Sequence, residues 1–315
     1  MRFFFILDSG LKIGAGHVTR NLGLAEELID RNYEVFFMGD FQNLDWLQKK
    51  LDASGIESLP LSNLEHFSTS SDMLIIDSYT INPKASYLDR AKWKNVVVIF
   101  DEVTPRYDCD LMIHPGVMQY ADIESGYSVL SGPRYIPFRK SIVSAKRSVW
   151  GNKKISICVL GGAVDSYGFV ESMSKVLSEI TGDFEVILFS NKNKFVSHDP
   201  RQKVFPVGDL FEKLICNFDL AFSTASSSCL ELLSKGCAVG IVKSASNQES
   251  NYLELSNLKV AEALGVYSNG VWHIDIAKTT DLINLPYKRN QLMGASENIF
   301  DFRGSSRIVD AMLQI

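Results

Sequence analysis

The sequence predicts an α/β protein built from two doubly wound parallel sheets, and three observations carry that prediction. Short, wholly apolar runs such as Met73-Leu-Ile-Ile76 and Val96-Val-Val-Ile-Phe100 have the character of strands buried on both faces. Segments with helical spacing separate them, as the crossovers of a parallel sheet require. The pattern then restarts halfway: Phe3–Leu7 runs into Gly10, Gly14 and Gly16, and Lys154–Leu160 runs into Gly161-Gly162. A chain of 315 residues is long for one core and natural for two.

In order, the strand Phe3–Leu7 leads into a helix on which Val18, Leu22, Ala25, Leu28 and Ile29 share one face. A strand over 33–38 ends at Gly39-Asp40, and a helix is expected over 43–54 ahead of Gly55-Ile56. After a polar stretch come the strand 73–77, a helix opened by Pro83 and running to Trp93, the strand 96–100 with Asp101-Glu102 behind it, and a short strand 111–113. Residues 114–152, with Gly132-Pro133, Pro137 and Lys146-Arg147, read as the crossover between domains. In the second half the strand 154–160 enters a helix reaching Ile180. Strands are expected at 185–189, 220–222 and 238–242, with a helix over 227–235 before the last. The predicted division is a domain over 1–140, a domain over 153–300 and a C-terminal helix over 301–315. Two such halves would face a central cleft at the carboxyl ends of their strands, where ligands of open α/β sheets bind.

Composition narrows the function classes. With 46% hydrophobic and 22% charged residues the chain reads as soluble and globular. A net charge of −5 without a Lys/Arg cluster argues against nucleic acid or an anionic membrane as partner. Any phosphate site is therefore expected to be local, made of glycine loops, helix ends and single basic residues. The five cysteines are scattered with no CxxC pair, which suits free thiols in a reducing cytoplasm. The apolar opening is too short for a signal segment, and no run is long enough to span a membrane. No metal-ligand cluster is visible, and no cofactor is implied.

The stretch from Asp8 to Arg20 carries the strongest chemical signal. Gly10, Gly14 and Gly16 allow backbone N–H groups to approach a ligand, and a helix start behind them favours an anion. His17 stands where that helix begins. A helix N-terminus disfavours the imidazolium, so the expectation is a neutral histidine able to act as general base. Arg20 lies one turn on, placed to pair with a phosphate or with Asp8. The plain alternative is a glycine turn with a locally packed histidine. Asp77-Ser78-Tyr79 and Asp101-Glu102 follow buried strands, where polar residues either meet ligand or cap what comes next.

The second half offers its own candidates. Gly161-Gly162 is either a phosphate turn or a tight turn. Ser223-Thr-Ala-Ser-Ser-Ser228, Ser226 and Ser227 among them, sets hydroxyls and N–H groups at a helix start, with Glu231 on its first turn as ligand contact or dipole partner. Ser246-Asn247-Gln248 enters another helix, where Asn247 and Gln248 could position sugar hydroxyls or acetamido groups, or Asn247 could simply cap.

Asp8-Ser-Gly-x-x-Ile-Gly-x-Gly-His17-x-x-Arg20-x-Leu-x-Leu-Ala25 resembles the opening of the nucleotide-sugar hydrolases of pseudaminic acid biosynthesis. These proteins belong to the GT-B superfamily and are related to spore-coat polysaccharide proteins. The likeness continues through Ile76-Asp77-Ser78-Tyr79, Asp101-Glu102, Asp108-Cys109-Asp110, Gly132-Pro133-Arg134-Tyr135, Gly161-Gly162, Asp219-Leu-Ala221, Glu231, Asn247-Gln248 and Asp301-Phe-Arg-Gly304, nearly the whole chain in order. It implies a GT-B-like fold and metal-independent, inverting hydrolysis of UDP-2,4-diacetamido-2,4,6-trideoxy-β-L-altropyranose to free sugar and UDP. The residue matching the family's base is His17, its active-site tyrosine matches Tyr79, and its sugar-contacting asparagine matches Asn247. In related glycosyltransferases a glutamate at the place of Glu231 holds the ribose hydroxyls, while glycine loops and helix ends take the diphosphate. The first domain is thus expected to hold sugar and catalyst, the second the nucleotide.

The chain also departs from that pattern. Ile6 stands where the family has arginine, Ser223–Ser227 replaces a glycine-rich run, Leu230 an aromatic residue, and Asp101-Glu102 a pair of aspartates. These changes fall on substrate and phosphate contacts. They give weight to a second reading, a GT-B glycosyltransferase passing a sugar from a nucleotide donor to a surface-polysaccharide acceptor. A third, a binding subunit without turnover, is opposed by the joint presence of His17, Arg20, Tyr79, Glu231 and Asn247.

Overall fold

The computed structural model describes residues 1–10, 13–41, 45–67, 69–101, 108–120, 128–146, 154–192 and 195–315. The chain forms two compact units, residues 1–140 with 301–315, and residues 141–300. The first contains β1 (Arg2–Leu7), α1 (Gly16–Asp30), β2 (Glu34–Met38), α2 (Asp45–Ala53), β3 (Glu57–Leu59), β4 (Met73–Asp77), β5 (Asn95–Ile99), β6 (Leu111–Ile113) and β7 (Ser128–Leu130). A short helix, α3 (Lys140–Ser144), lies where the chain passes to the second unit.

The second unit contains β8 (Ile155–Leu160), α4 (Phe169–Glu179), β9 (Phe184–Phe189), β10 (Gln202–Phe205), α5 (Asp209–Leu214), β11 (Leu220–Thr224) and α6 (Ser227–Ser234). It continues with β12 (Ala238–Lys243), α7 (Glu249–Asn257), β13 (Glu262–Ser268), β14 (Val271–Ile274), α8 (Ile276–Asn284) and α9 (Pro286–Ser296). The last helix, α10 (Gly304–Gln314), returns to the first unit.

The first sheet runs β3-β2-β1-β4-β5-β6-β7 with every pair parallel. The second repeats that order as β10-β9-β8-β11-β12-β13-β14, with β14 alone antiparallel. In each unit the strand order reverses beside its first strand. Helices on the two sides of that point leave toward opposite faces, which opens a crevice at the carboxyl ends of the strands. The loops after β1 and β4 therefore stand side by side in the first unit, as do those after β8 and β11 in the second.

β1 is central, and its phenylalanines fill both layers of the core. Phe4 stacks on Phe36 at 4.9 Å and meets Trp93 at 5.5 Å, while Phe3 and Phe5 face Tyr33 and Phe37 at 5.1 and 5.2 Å. In the second unit Ile157, Val159 and Phe222 pack with Phe169, Met173 and Leu177 of α4. α10 lies against α1, and the segment 136–138 passes close to both helices. A Cβ at Gly304 would stand 2.0 Å from the Ile136 carbonyl oxygen, and one at Gly23 2.7 Å from that of Phe138, so only glycine fits either place.

Several elements differ from expectation. Residues 83–93 form two short 3₁₀ turns, Ser86–Leu88 and Arg90–Lys92, instead of a helix. The Asp89 carboxylate takes the Ala91 N–H and the Trp93 indole donates to the Tyr87 carbonyl, so side chains supply the contacts a helix would need. The presumed crossover contains β7, which extends the first sheet. β3, β10 and the β13–β14 hairpin are further strands that hydropathy alone did not mark. Residues 43–44 of the expected 43–54 helix, 121–127 and 147–152 of the presumed crossover, and Glu102 lie outside the described residues. Among the described residues no helix is long and apolar enough to cross a membrane.

Candidate active site

The loop after β1 is shaped from within. Gly10 and Gly14 exchange backbone hydrogen bonds of 3.0 and 2.7 Å at φ of +136° and +87°, a pairing that side chains disfavour and glycine permits. The Asp8 carboxylate just before them receives Ser78 Oγ at 2.8 Å, Tyr79 N at 2.6 Å and Thr80 Oγ1 at 2.8 Å. Asp8 is thus spent on holding the neighbouring β4 loop in place and makes no pair with Arg20.

Gly16 begins α1, and His17 follows it, buried and aimed at the end of β4. Its Nδ1–H is shared between the carbonyl oxygen of Asp77 at 2.8 Å and the Asp77 carboxylate at 2.7 Å. With Nδ1 holding the proton, Nε2 is the lone-pair nitrogen, and it makes no hydrogen bond among the described residues. The Asp77 carboxylate also receives Arg20 Nε at 2.6 Å, Arg20 Nη2, and Asn21 Nδ2 at 2.5 Å. Arg20 reaches Asp101 with Nη1 at 2.5 Å, and the other Asp101 oxygen accepts the Tyr79 hydroxyl. The Tyr79 ring stands edge-on to His17, with centroids 4.5 Å apart, and its residue is 46% exposed.

The electrostatics follow from this packing. Burial alone would push the Asp77 carboxyl up, but Arg20 and His17 together hold it well below the usual carboxylate range. Burial likewise pulls His17 down, and so does Arg20, yet the Asp77 carboxylate outweighs both and leaves the imidazole above its ordinary value. The expectation rested on the helix start lowering the imidazole, whereas the net direction here is upward. A carboxylate at 2.7 Å is the stronger influence. The raised imidazole is a better base once its proton is gone. Arg20, expected to meet a phosphate or Asp8, has its guanidinium committed to Asp77 and Asp101 instead.

Behind Asp101, the buried ring of His114 packs against Phe100 at 5.5 Å and Tyr120 at 4.7 Å. Burial lowers it to about 4, so it is neutral near pH 7. Asn21 and His114 escaped the sequence reading. Asn21 had a signal, its i, i+4 spacing from His17 on a helix face; His114 had none.

In the second unit, Gly161 and Gly162 follow β8 as expected, with Gly162 at φ +92°. A Cβ on Gly161 would strike the Asp165 carboxylate at 2.7 Å. That carboxylate accepts Phe169 N and Val170 N at 2.8 and 2.9 Å, so the start of α4 is already occupied by the chain's own anion. The start of α6 is different. Ser226 is its N-cap with no side-chain cap bond, and no acidic residue stands in its first turn. Ser226 and Ser227 therefore sit at the open helix end. Glu231 is buried on the second turn of α6, one turn later than expected. Asn247 and Gln248 lie in the turn Ser246–Gln248 after β12, where Gln248 Oε1 receives Ser244 N and Oγ, each at 3.0 Å. Each of these groups stands at the carboxyl edge of its own unit's sheet.

Comparison with protein-family models finds no match, and neither does comparison with curated proteins. Solved structures are similar over the whole chain. MurG of Acinetobacter baumannii aligns with a TM-score of 0.67 at 12% identity, covering 100% of both chains. A UDP-N-acetylglucosamine 2-epimerase aligns at 0.63 and 13%, covering 99% of this chain and 95% of its own. A Streptomyces sp. glycosyltransferase complexed with thymidine diphosphate aligns at 0.63 and 12%, covering 99% of each. At such identities the likeness establishes the fold: this chain has a GT-B-like fold of two Rossmann-like units.

Proposed function

We propose that the chain is a glycosyltransferase that moves a sugar from a nucleotide donor to an acceptor hydroxyl, with His17 as the base. The observation that carries this reading is the hydrogen bond from His17 Nδ1 to Asp77, which leaves Nε2 to accept a proton. In the reaction the acceptor oxygen forms a bond to the anomeric carbon. The bond from that carbon to the diphosphate oxygen breaks, with its electron pair leaving on the nucleoside diphosphate. The acceptor proton passes to His17 Nε2, and the anomeric configuration inverts. Asp77 stabilises the imidazolium that forms, as carboxylates do in histidine-centred catalytic groups.

The remaining residues take roles by chemistry. Tyr79 is exposed beside the base and meets the sugar, with Gly14 and Gly16 giving backbone access nearby. Arg20 positions Asp77 and Asp101. The diphosphate goes to the open start of α6 at Ser226 and Ser227 and to the Gly161-Gly162 turn, the ribose to Glu231, and Asn247 and Gln248 serve the sugar's polar groups. The full-length likeness to glycosyltransferases favours an acceptor hydroxyl over water. The five cysteines, all free, fit a reducing cytoplasm.

One observation favours a second reading. The opening motif through His17 and Arg20 resembles the pseudaminic acid pathway hydrolases, in which water takes the acceptor's place and a UDP-linked 2,4-diacetamido-2,4,6-trideoxy sugar is released. Incubation with UDP- and CMP-sugars, with and without glycan acceptor, separates the two. Transfer predicts nucleotide release that depends on acceptor, whereas free sugar formed without acceptor selects hydrolysis. Under either reading His17→Ala lowers turnover by about 10²–10⁴-fold with the fold intact. Full activity in that variant removes His17 as base.

A further inference from the structure

We propose that Asn21 is a positioning residue of the catalytic dyad, fixing the Asp77 carboxylate so that its Oδ1 faces His17 Nδ1. This rests on the reading of His17 as base. Asn21 lies one helical turn after His17 on α1 and is fully buried. Its amide nitrogen donates to the His17 carbonyl at 2.8 Å and to Asp77 Oδ2 at 2.5 Å. Both partners are acceptors, so the opposite amide orientation would set oxygen against oxygen at two contacts; the orientation is fixed by its neighbours.

With Asn21 in place the carboxylate is fully engaged. Oδ1 takes His17 Nδ1 and Arg20 Nη2, and Oδ2 takes Arg20 Nε and Asn21 Nδ2. Arg20 approaches along one edge only, and Asn21 adds a second direction that resists rotation of the carboxylate plane. Packing does not account for an asparagine here. Its Oδ1 is buried without a hydrogen-bond partner among the described residues, a cost that an apolar side chain of equal size avoids. The amide is retained for what its nitrogen does.

The charged and titratable groups facing His17 are Asp77 from β4, Arg20 from α1, Tyr79 from the β4 loop and Asp101 beyond β5. Removing the Asn21 donor frees the carboxylate plane to turn, which loosens the Oδ1–Nδ1 contact that raises the imidazole.

Asn21→Leu keeps the branching at Cγ and deletes both amide groups. We expect its His17 Cε1–H resonance to titrate at lower pH than in wild type. We expect kcat to fall by about 10- to 100-fold, as for a misplaced catalytic group. KM for the sugar nucleotide stays unchanged. If Asn21→Leu does not fold, Asn21→Ser, whose shorter hydroxyl cannot span both acceptors, is read in the same titration. An unchanged or raised His17 midpoint in the folded variant overturns the proposal, whatever happens to the melting temperature. The two levels of inference fail differently. An active His17→Ala defeats the base and leaves the titration to test the contact, whereas an inactive His17→Ala with a wild-type Asn21→Leu defeats the positioning role alone.

Discussion

Two buried histidines of the first unit respond to acid in opposite ways, because one has a carboxylate against its ring and the other has aromatic rings. His17 is raised, so its stabilising pair with Asp77 is fully present below the unfolded histidine value and is lost as pH rises through the folded one. For catalysis the same shift acts on the acid limb of kcat/KM, since the base works only when unprotonated. That limb should lie above the ordinary histidine value of about 6.5. In Asp77→Asn the raising charge is gone while burial and Arg20 remain, so the limb should move to lower pH. The rate should fall by at least about 100-fold, since the amide no longer supports the imidazolium. A pH–rate profile of the two proteins checks this, and a limb at the same pH in both would show that some other group titrates. His114 is depressed to about 4, so folding favours its neutral form. The stability this gives is present above the unfolded histidine value and is lost as pH falls toward 4. Over that window the expected slope is about 1.4 kcal/mol per pH unit. His17, protonated in both states there, adds nothing to it. Denaturant titrations at stepped pH should show the slope in wild type and lack it in His114→Phe; an equal slope in both assigns the acid sensitivity elsewhere.

At the scale of elements, what was legible in the sequence follows burial. β1, β4, β5, β8 and β12 are central strands covered on both faces, and their continuous apolar runs announce them. β3 and β7 are three-residue edge strands with exposed or half-buried side chains, and at that length no hydrophobic pattern exists to read. The β13–β14 hairpin did leave a mark: Asn269-Gly270, both at positive φ, is the two-residue turn that right-twisted strands prefer, and it lies between Val266-Tyr267 and Val271-Trp272, runs too short to stand out as continuous apolar strands. The site was legible in its parts and not in its pairings. Glycines, histidine and aspartate after buried strands identified the loops. That Arg20 would turn to Asp77 and Asp101 instead of Asp8 depends on strand order, because the switch between β1 and β4 brings those loops together. Asp165 shows the same limit: its capping of α4 leaves α6 as the uncapped helix start of the two.

At the scale of the whole molecule, the first unit is discontinuous in sequence: its sheet is complete by β7, yet its last helix is added only after the entire second unit. α10 buries Ile308, Val309 and Met312 completely, and Arg31 on the first unit bonds Asp310 at 2.6 Å and Ser306 Oγ at 3.0 Å. Each such apolar side chain contributes about 1.5–3 kcal/mol on burial, so three together approach the whole stability of an ordinary domain. The surface ion pair adds little by comparison. Deleting residues 301–315 should therefore unfold or severely loosen the first unit, while the second keeps its own core within 141–300. Hydrogen exchange read by mass spectrometry tests this directly. Peptides from β1, α1 and β4 should lose protection by orders of magnitude, and those from β8, α4 and β11 should keep theirs. Since α1 carries His17 and Asn21, the truncated chain should also lose the His17–Asp77 contact and all turnover. Protection lost evenly across both units would mean that they fold as one cooperative body, and protection kept in β1 and α1 would mean that α10 is dispensable to the sheet that holds the base.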